Sequence, residues 1–251
     1  MAVALAFADP VHDAQRTFRA VMNAMARPGT IHMVAGLVAA PAPLSPVAAA
    51  VAVALADYET PLWLDASLAA APDVASYLTF HTGARIVAAP SQAAFALVAE
   101  ARSLPDFAEF ALGTDVYPDR STTLVVQVES LVADMSPLPG GERSDAERPG
   151  EGNRAAEASM PPTLALPTAT RGEGTMIPTG GDRSTPARHI ILAGPGIKGH
   201  ATLAVSGLPA DIVARLAANR ALFPRGVDLV LAGPEGVAAL PRTTRVTVTE
   251  A

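Results

Sequence analysis

The chain has 251 residues, half of them hydrophobic, with 18 basic against 24 acidic side chains and no cysteine. That length is enough to bury a substantial core, in one domain or two. The missing cysteine excludes disulfides, thiolate catalysis and cysteine-held metals, and a net charge of −6 without a basic cluster argues against a nucleic-acid partner and a basic membrane-binding face.

The longest apolar run, residues 46–56, is far shorter than the roughly 20 residues that a bilayer-spanning helix needs. The apolar N-terminus lacks a basic flank and meets Asp9 early, which makes it a poor signal peptide. A cytoplasmic location is therefore expected. Asp9 and Pro10 are the cap and first turn of a first helix, with Val11, Ala14, Phe18, Val21 and Met25 as its apolar stripe and Pro28–Gly29 as its stop. His12, Arg16, Arg19, Asn23 and Arg27 form the opposite, polar line.

Residues 31–34 are read as a short strand, 46–57 as a buried helix, 61–65 as a strand and 72–80 as a helix opened by Pro72. Strands follow at 85–89 and 93–99, although the alanines of the second leave a buried helix open. STTLVVQVESL, 121–131, is the strongest strand signal. Residues 139–188 then hold eight glycines and seven prolines with few large apolar side chains, a composition that does not build a core. GGERS at 140–144 returns there as GGDRS at 180–184. The stretch is expected to be a flexible insertion in a single domain, dispensable to the fold, with an interdomain linker as the alternative. Order resumes with strands at 189–193 and 201–206, a helix at 209–223, strands at 227–231 and 236–240, and a last strand in TRVTVTE. Mixed strands and helices point to a layered α/β domain.

Motifs for chemistry are sparse. No GxxxxGK[ST], GxSxG or HExxH occurs, no GxGxxG opens a βαβ unit, and the five histidines are scattered. GPGIKGH, 194–200, reads as a tight turn or, alternatively, as a phosphate cradle. Lys198 is the only lysine, so it alone is available for a pyridoxal Schiff base, in a turn that lacks any supporting motif. No catalytic residue, cofactor or metal is assigned. The polar line of the first helix is a solvated face, a subunit interface or an anion site. Arg220, Arg225 and Arg242 divide in the same way between anion contacts and loop pins.

At these residues a resemblance emerges. VHDAQRTFRAVMNAMARPG (11–29), PLWLD (61–65), FHTGA (80–84), ANRALFPRGVDLVL (218–231) and ALPRTTRV (239–246) resemble, in this order, the H subunit family of the carbon–phosphorus lyase system. The resemblance implies a three-layer α/β/α sandwich with a mixed sheet, similar to the pyridoxal-phosphate-dependent transferase fold but without its cofactor chemistry. It implies a homodimer that joins the G, I and J subunits in organic phosphonate catabolism. It also implies support for making α-D-ribose 1-methylphosphonate 5-triphosphate, in which a methylphosphonate oxygen displaces adenine from the ribose C1 of ATP. Arg16, Arg27, Arg220, Arg225 and Arg242 are the candidates for contact with a phosphate-rich small molecule. An independent transferase with a divergent site and a pure scaffold remain as alternatives. The family pattern is expected to pass more directly from 121–131 to the strand at His189, so that 139–188 departs from it.

Overall fold

The computed structural model describes residues 6–34, 39–134, 186–234 and 236–248. Nearly all of 139–188 lies outside the described residues, and with it the expectation of a flexible insertion.

Helix α1 (Pro10–Ala26) starts as the sequence predicts: the Asp9 carboxylate accepts the His12 amide at 3.1 Å, and Pro10 occupies the first turn, where no amide is needed. Its buried face differs from the predicted stripe. Asp13, Thr17, Ala20, Val21 and Ala24 point inward, while Val11 is 63% and Phe18 47% exposed. Two causes act together. Ala20 and Ala24 let α1 lie close on its neighbours, helix α2 (Pro46–Leu55) and strand β9 (Gly236–Leu240). Asp13 turns inward to accept the Asp9 amide at 2.9 Å. Helix α2, capped by Ser45, buries every residue from 48 to 52, as suits a helix that is apolar all round. A short α3 (Ala66–Ala69) and then α4 (Pro72–Thr82) complete this layer.

The helices cover one face of a six-stranded sheet. Its order is β2 (Ile86–Val87), β1 (Leu62–Leu64), β3 (Phe95–Val98), β4 (Thr123–Gln127), β8 (Asp228–Gly233) and β9. All neighbours are parallel except β8 and β9, which form an antiparallel pair. Successive side chains alternate between two cores. Leu97, Val125 and Val230 meet the helices, whereas Val98, Leu124, Val126, Leu229 and Leu231 face the other way.

That second face corrects the expected α/β/α layering. It is covered by an antiparallel sheet of four strands, in the order β10 (Arg245–Val248), β6 (Arg188–Ala193), β7 (Ala201–Ser206), β5 (Ser130–Asp134), together with α5 (Ile212–Ala221). The fold is thus mixed α/β, with helices concentrated on one side. The strong signal at 121–131 is not one strand: β4 ends at Gln127, and Ser130 begins β5 in the other sheet. Gln127, Glu129 and Ser130 stand at the change of sheet, and their alternation with Val128 reads equally as one continuing half-buried strand. Residues 31–34 form no strand; His32 makes a single antiparallel bridge to Val237.

Candidate functional site

A cleft of about 560 Å³ opens where β3, β4 and β8 end, beside the first turn of α2; it is lined by residues 45–47, 99–102, 127–129, 207 and 232–234. The carboxyl ends of parallel strands are the usual ligand side of such sheets, since the chain leaves the sheet there in loops.

Each wall is fixed by local chemistry. Asp65, buried just after β1, accepts the Leu68 amide at 2.9 Å and so caps α3. Its other oxygen accepts the amides of Ala99 at 2.8 Å and Glu100 at 2.9 Å, which sets the chain leaving β3 and places Glu100 at the cleft. Gln127 accepts the Ser45 amide at 2.6 Å and donates to the Pro43 carbonyl at 3.1 Å, tying α2 to the end of β4. Arg102 and Glu129 pair at 3.1 Å. Gly207 has φ +94°, and a Cβ there would stand 3.2 Å from Cγ of Glu129, so this glycine makes room for the acidic side chain. Two carboxylates face one guanidinium, and that guanidinium is already paired. The cleft therefore suits groups that donate hydrogen bonds better than it suits phosphate.

None of the arginines nominated from sequence lines this cleft. Arg16 is exposed and paired with Asp13 at 3.2 Å; Arg27 is exposed and donates to Asn23 Oδ1 at 3.0 Å. The two stand about 16 Å apart along α1. Arg225 Nε, itself buried, stands 3.3 Å from the exposed Asp115 carboxylate. Arg220 donates to the Thr243 carbonyl at 3.4 Å and, with Pro195, Phe223 and Thr243, borders a second hollow of about 290 Å³. Arg242 is committed inside the protein: it holds the Asp228 carboxylate, Ser121 Oγ and the carbonyls of Pro118 and Pro224. It pins loops and has no fork left for a ligand. Arg220, Arg225 and Arg242 thus share one corner, apart from Arg16 on α1.

The 194–200 turn is explained by packing. Gly196 has φ +79°, and a Cβ on it would come within 2.0 Å of the Ala26 carbonyl at the end of α1. Lys198 and His200 are exposed. Among the described residues no group of three or more His, Cys, Asp or Glu side chains is placed to hold a metal. Burial, and then the charge of Arg27, hold His32 below its ordinary pKa; burial raises that of Tyr77, whose hydroxyl donates to the Ala39 carbonyl at 3.1 Å. Neither residue lines the cleft.

Known proteins match along nearly this whole framework. The family described as bacterial phosphonate metabolism protein (PhnH) matches residues 5–165 and 173–247. The chain belongs to the PhnH family. The PhnH match takes in every residue lining the cleft. The matched ranges extend into 139–188, as far as residue 165 and again from residue 173. A relative in Rhizobium meliloti (strain 1021), alpha-D-ribose 1-methylphosphonate 5-triphosphate synthase subunit PhnH, is 37% identical over 241 residues, covering 96% of this chain and 94% of its own. The putative C-P lyase subunit protein HtxG of Stutzerimonas stutzeri is 35% identical over 96 residues, which are 38% of this chain and 48% of its own.

The cleft residues Glu100, Arg102, Gln127 and Glu129, and Asp65 that fixes the wall behind them, were not singled out from sequence. Asp65 carries a local signal, as an acidic residue between a strand and a short helix. The others become neighbours only once β3 and β4 are paired.

Proposed function

We propose that this chain is a subunit of the carbon–phosphorus lyase system, acting with the G, I and J subunits and a second copy of itself. In that role it supports synthesis of α-D-ribose 1-methylphosphonate 5-triphosphate from ATP and methylphosphonate in the cytoplasm. The observation that carries this reading is the near full-length similarity to a protein named as a subunit of that synthase. Helix α1 adds support, because Val11, Phe18 and Met22 stand exposed on a helix that also presents Arg16 and Arg19, as expected of a face that docks on another protein. Contact with a phosphate-rich ligand belongs to the same proposal, with Arg16, Arg27, Arg220 and Arg225 retained and Arg242 assigned to the fold. So does a likeness to pyridoxal-dependent transferases, which rests on a mixed sheet with one antiparallel strand at its edge. The single domain around 139–188 is likewise part of the proposal.

The test is phosphonate-dependent release of adenine from ATP by the purified G and I proteins and an ATP-binding accessory subunit, with this chain present or left out. Release that depends on this chain, while the remaining proteins still assemble without it, is the expected result. Loss of assembly along with release would make the chain a scaffold. Release by the chain alone would replace the subunit reading with that of an independent transferase.

A further inference from the structure

We propose that the cleft at the ends of β3, β4 and β8 binds the sugar of a nucleoside, with the Glu100 carboxylate accepting hydrogen bonds from the two vicinal hydroxyls of the furanose. This goes beyond the subunit reading and stands without it, since it concerns this chain alone.

Size and position come first. About 560 Å³ lies within the range of small-molecule sites, roughly 300–1,000 Å³. The cleft sits where parallel strands deliver loops and a helix N-terminus to one place. Its walls are held before any ligand arrives: Asp65 fixes the backbone at Ala99 and Glu100, and Gln127 fixes the start of α2. Pre-positioned groups bind at a smaller cost in lost freedom.

Chemistry then selects the ligand. Arg102 is engaged by Glu129, which leaves Glu100, exposed at the rim, as the carboxylate offered to solvent. An ionised carboxylate only accepts hydrogen bonds, and its two oxygens match two neighbouring hydroxyls. This is how an acidic residue after a strand reads ribose in dinucleotide-binding sheets. Ala99, Ala101, Val128, Ala232 and Pro234 supply apolar surface for a flat base. With Arg102 paired to Glu129, Glu100 is the unbalanced charge, so any phosphate on the ligand lies away from it.

The test uses isotopically labelled full-length chain titrated with adenosine and followed by NMR. The expected result is saturable shifts at Ala99, Glu100, Ala101, Val128 and Gly233. Removing both hydroxyls, with 2′,3′-dideoxyadenosine, weakens binding about tenfold, as for loss of hydrogen bonds to a charged group. Glu100→Gln weakens adenosine binding by a similar factor, and in that variant the dideoxy compound loses little more. The unlabelled ligand comparison on the unaltered chain keeps the test independent of how the variant folds. Absence of saturable shifts at these residues, or equal affinity for adenosine and its dideoxy analogue, overturns the proposal. Neither result bears on adenine release by the assembled subunits, which tests the subunit reading separately.

Discussion

Arg242 reaches from the end of β9 to Asp228 at the start of β8 and to the turns at 118–121 and 224, with side-chain exposures of 12% for itself and 16% for Asp228. Arg225 pairs with Asp115 at 43% and 80% exposure. Both are arginine–aspartate pairs, yet desolvation separates their weight. Arg242→Met leaves Asp228 with only the backbone amide of residue 242 and several carbonyls without their donor, and is expected to cost about 3 kcal/mol of stability. Arg225→Met costs less than about 1 kcal/mol. Urea unfolding of the two variants checks this, and equal losses would contradict it. His32 gives a prediction in pH. Its folded pKa lies below the ordinary 6.5, chiefly through burial and then through Arg27. As pH falls below about 6.5, the unfolded chain takes up the proton first, so it holds more protons than the folded chain and stability declines. The loss continues until the folded pKa is passed. His32→Gln is expected to flatten this slope between about pH 7.5 and about pH 5.5 in denaturant titrations. An unaltered slope would show that His32 does not contribute.

Helix α1 separates what a sequence period reveals from what packing decides. Phe18 and Met22 are 47% and 52% exposed, and Ala24 is fully buried. Phe18→Ser with Met22→Ser is therefore expected to leave the melting temperature of the isolated chain nearly unchanged, whereas Ala24→Leu overfills the contact with α2 and β9 and costs about 1–3 kcal/mol. Arg16→Glu with Arg19→Glu is expected to weaken association with the partner subunits; unchanged affinity would remove α1 from the interface. The start of α1 was legible in sequence because Asp9 and Pro10 act through local geometry. Its inward face was not, because small residues win a close contact that larger apolar ones only advertise. The same contrast runs through the molecule. α2, α4, β1, β6 and β7 were expected from sequence, whereas the alanines of β3 left a buried helix open there. The break at 128–129 between two sheets coincides with Gln127, Glu129 and Ser130, but polar residues at alternate positions also suit a single half-buried strand, so the sequence did not separate the two. At the candidate cleft, Asp65 carried a capping signal, but Glu100, Gln127 and Glu129 acquire meaning only from strand order. Of the nominated arginines, sequence left open whether each binds anions or pins loops, and burial answered this for Arg242 alone.

Strand order changes one expectation for the whole molecule. β5 and β6 flank β7, each antiparallel to it, so they run parallel to each other. Asp134 stands opposite Thr202 and Arg188 opposite Val205. Parallel strands need a connection of about a dozen residues. Removing 140–187 outright leaves 135–139 for this task and is expected to destabilise the fold rather than spare it. Replacing 140–187 with about 12 glycine and serine residues is expected to restore it. Circular dichroism and urea midpoints of the two variants distinguish these outcomes; a stable outright deletion would refute the length requirement.

The chain on either side of 139–188 contributes to both sheets: β8 lies beside β4 in one, and β5 lies beside β7 in the other. A cut within this stretch therefore yields no smaller unit with a finished core. Two polypeptides made separately, 1–138 and 187–251, are expected to be insoluble alone and to copurify as one particle when produced together. The protein can thus be divided in its covalent chain without being divisible in its architecture.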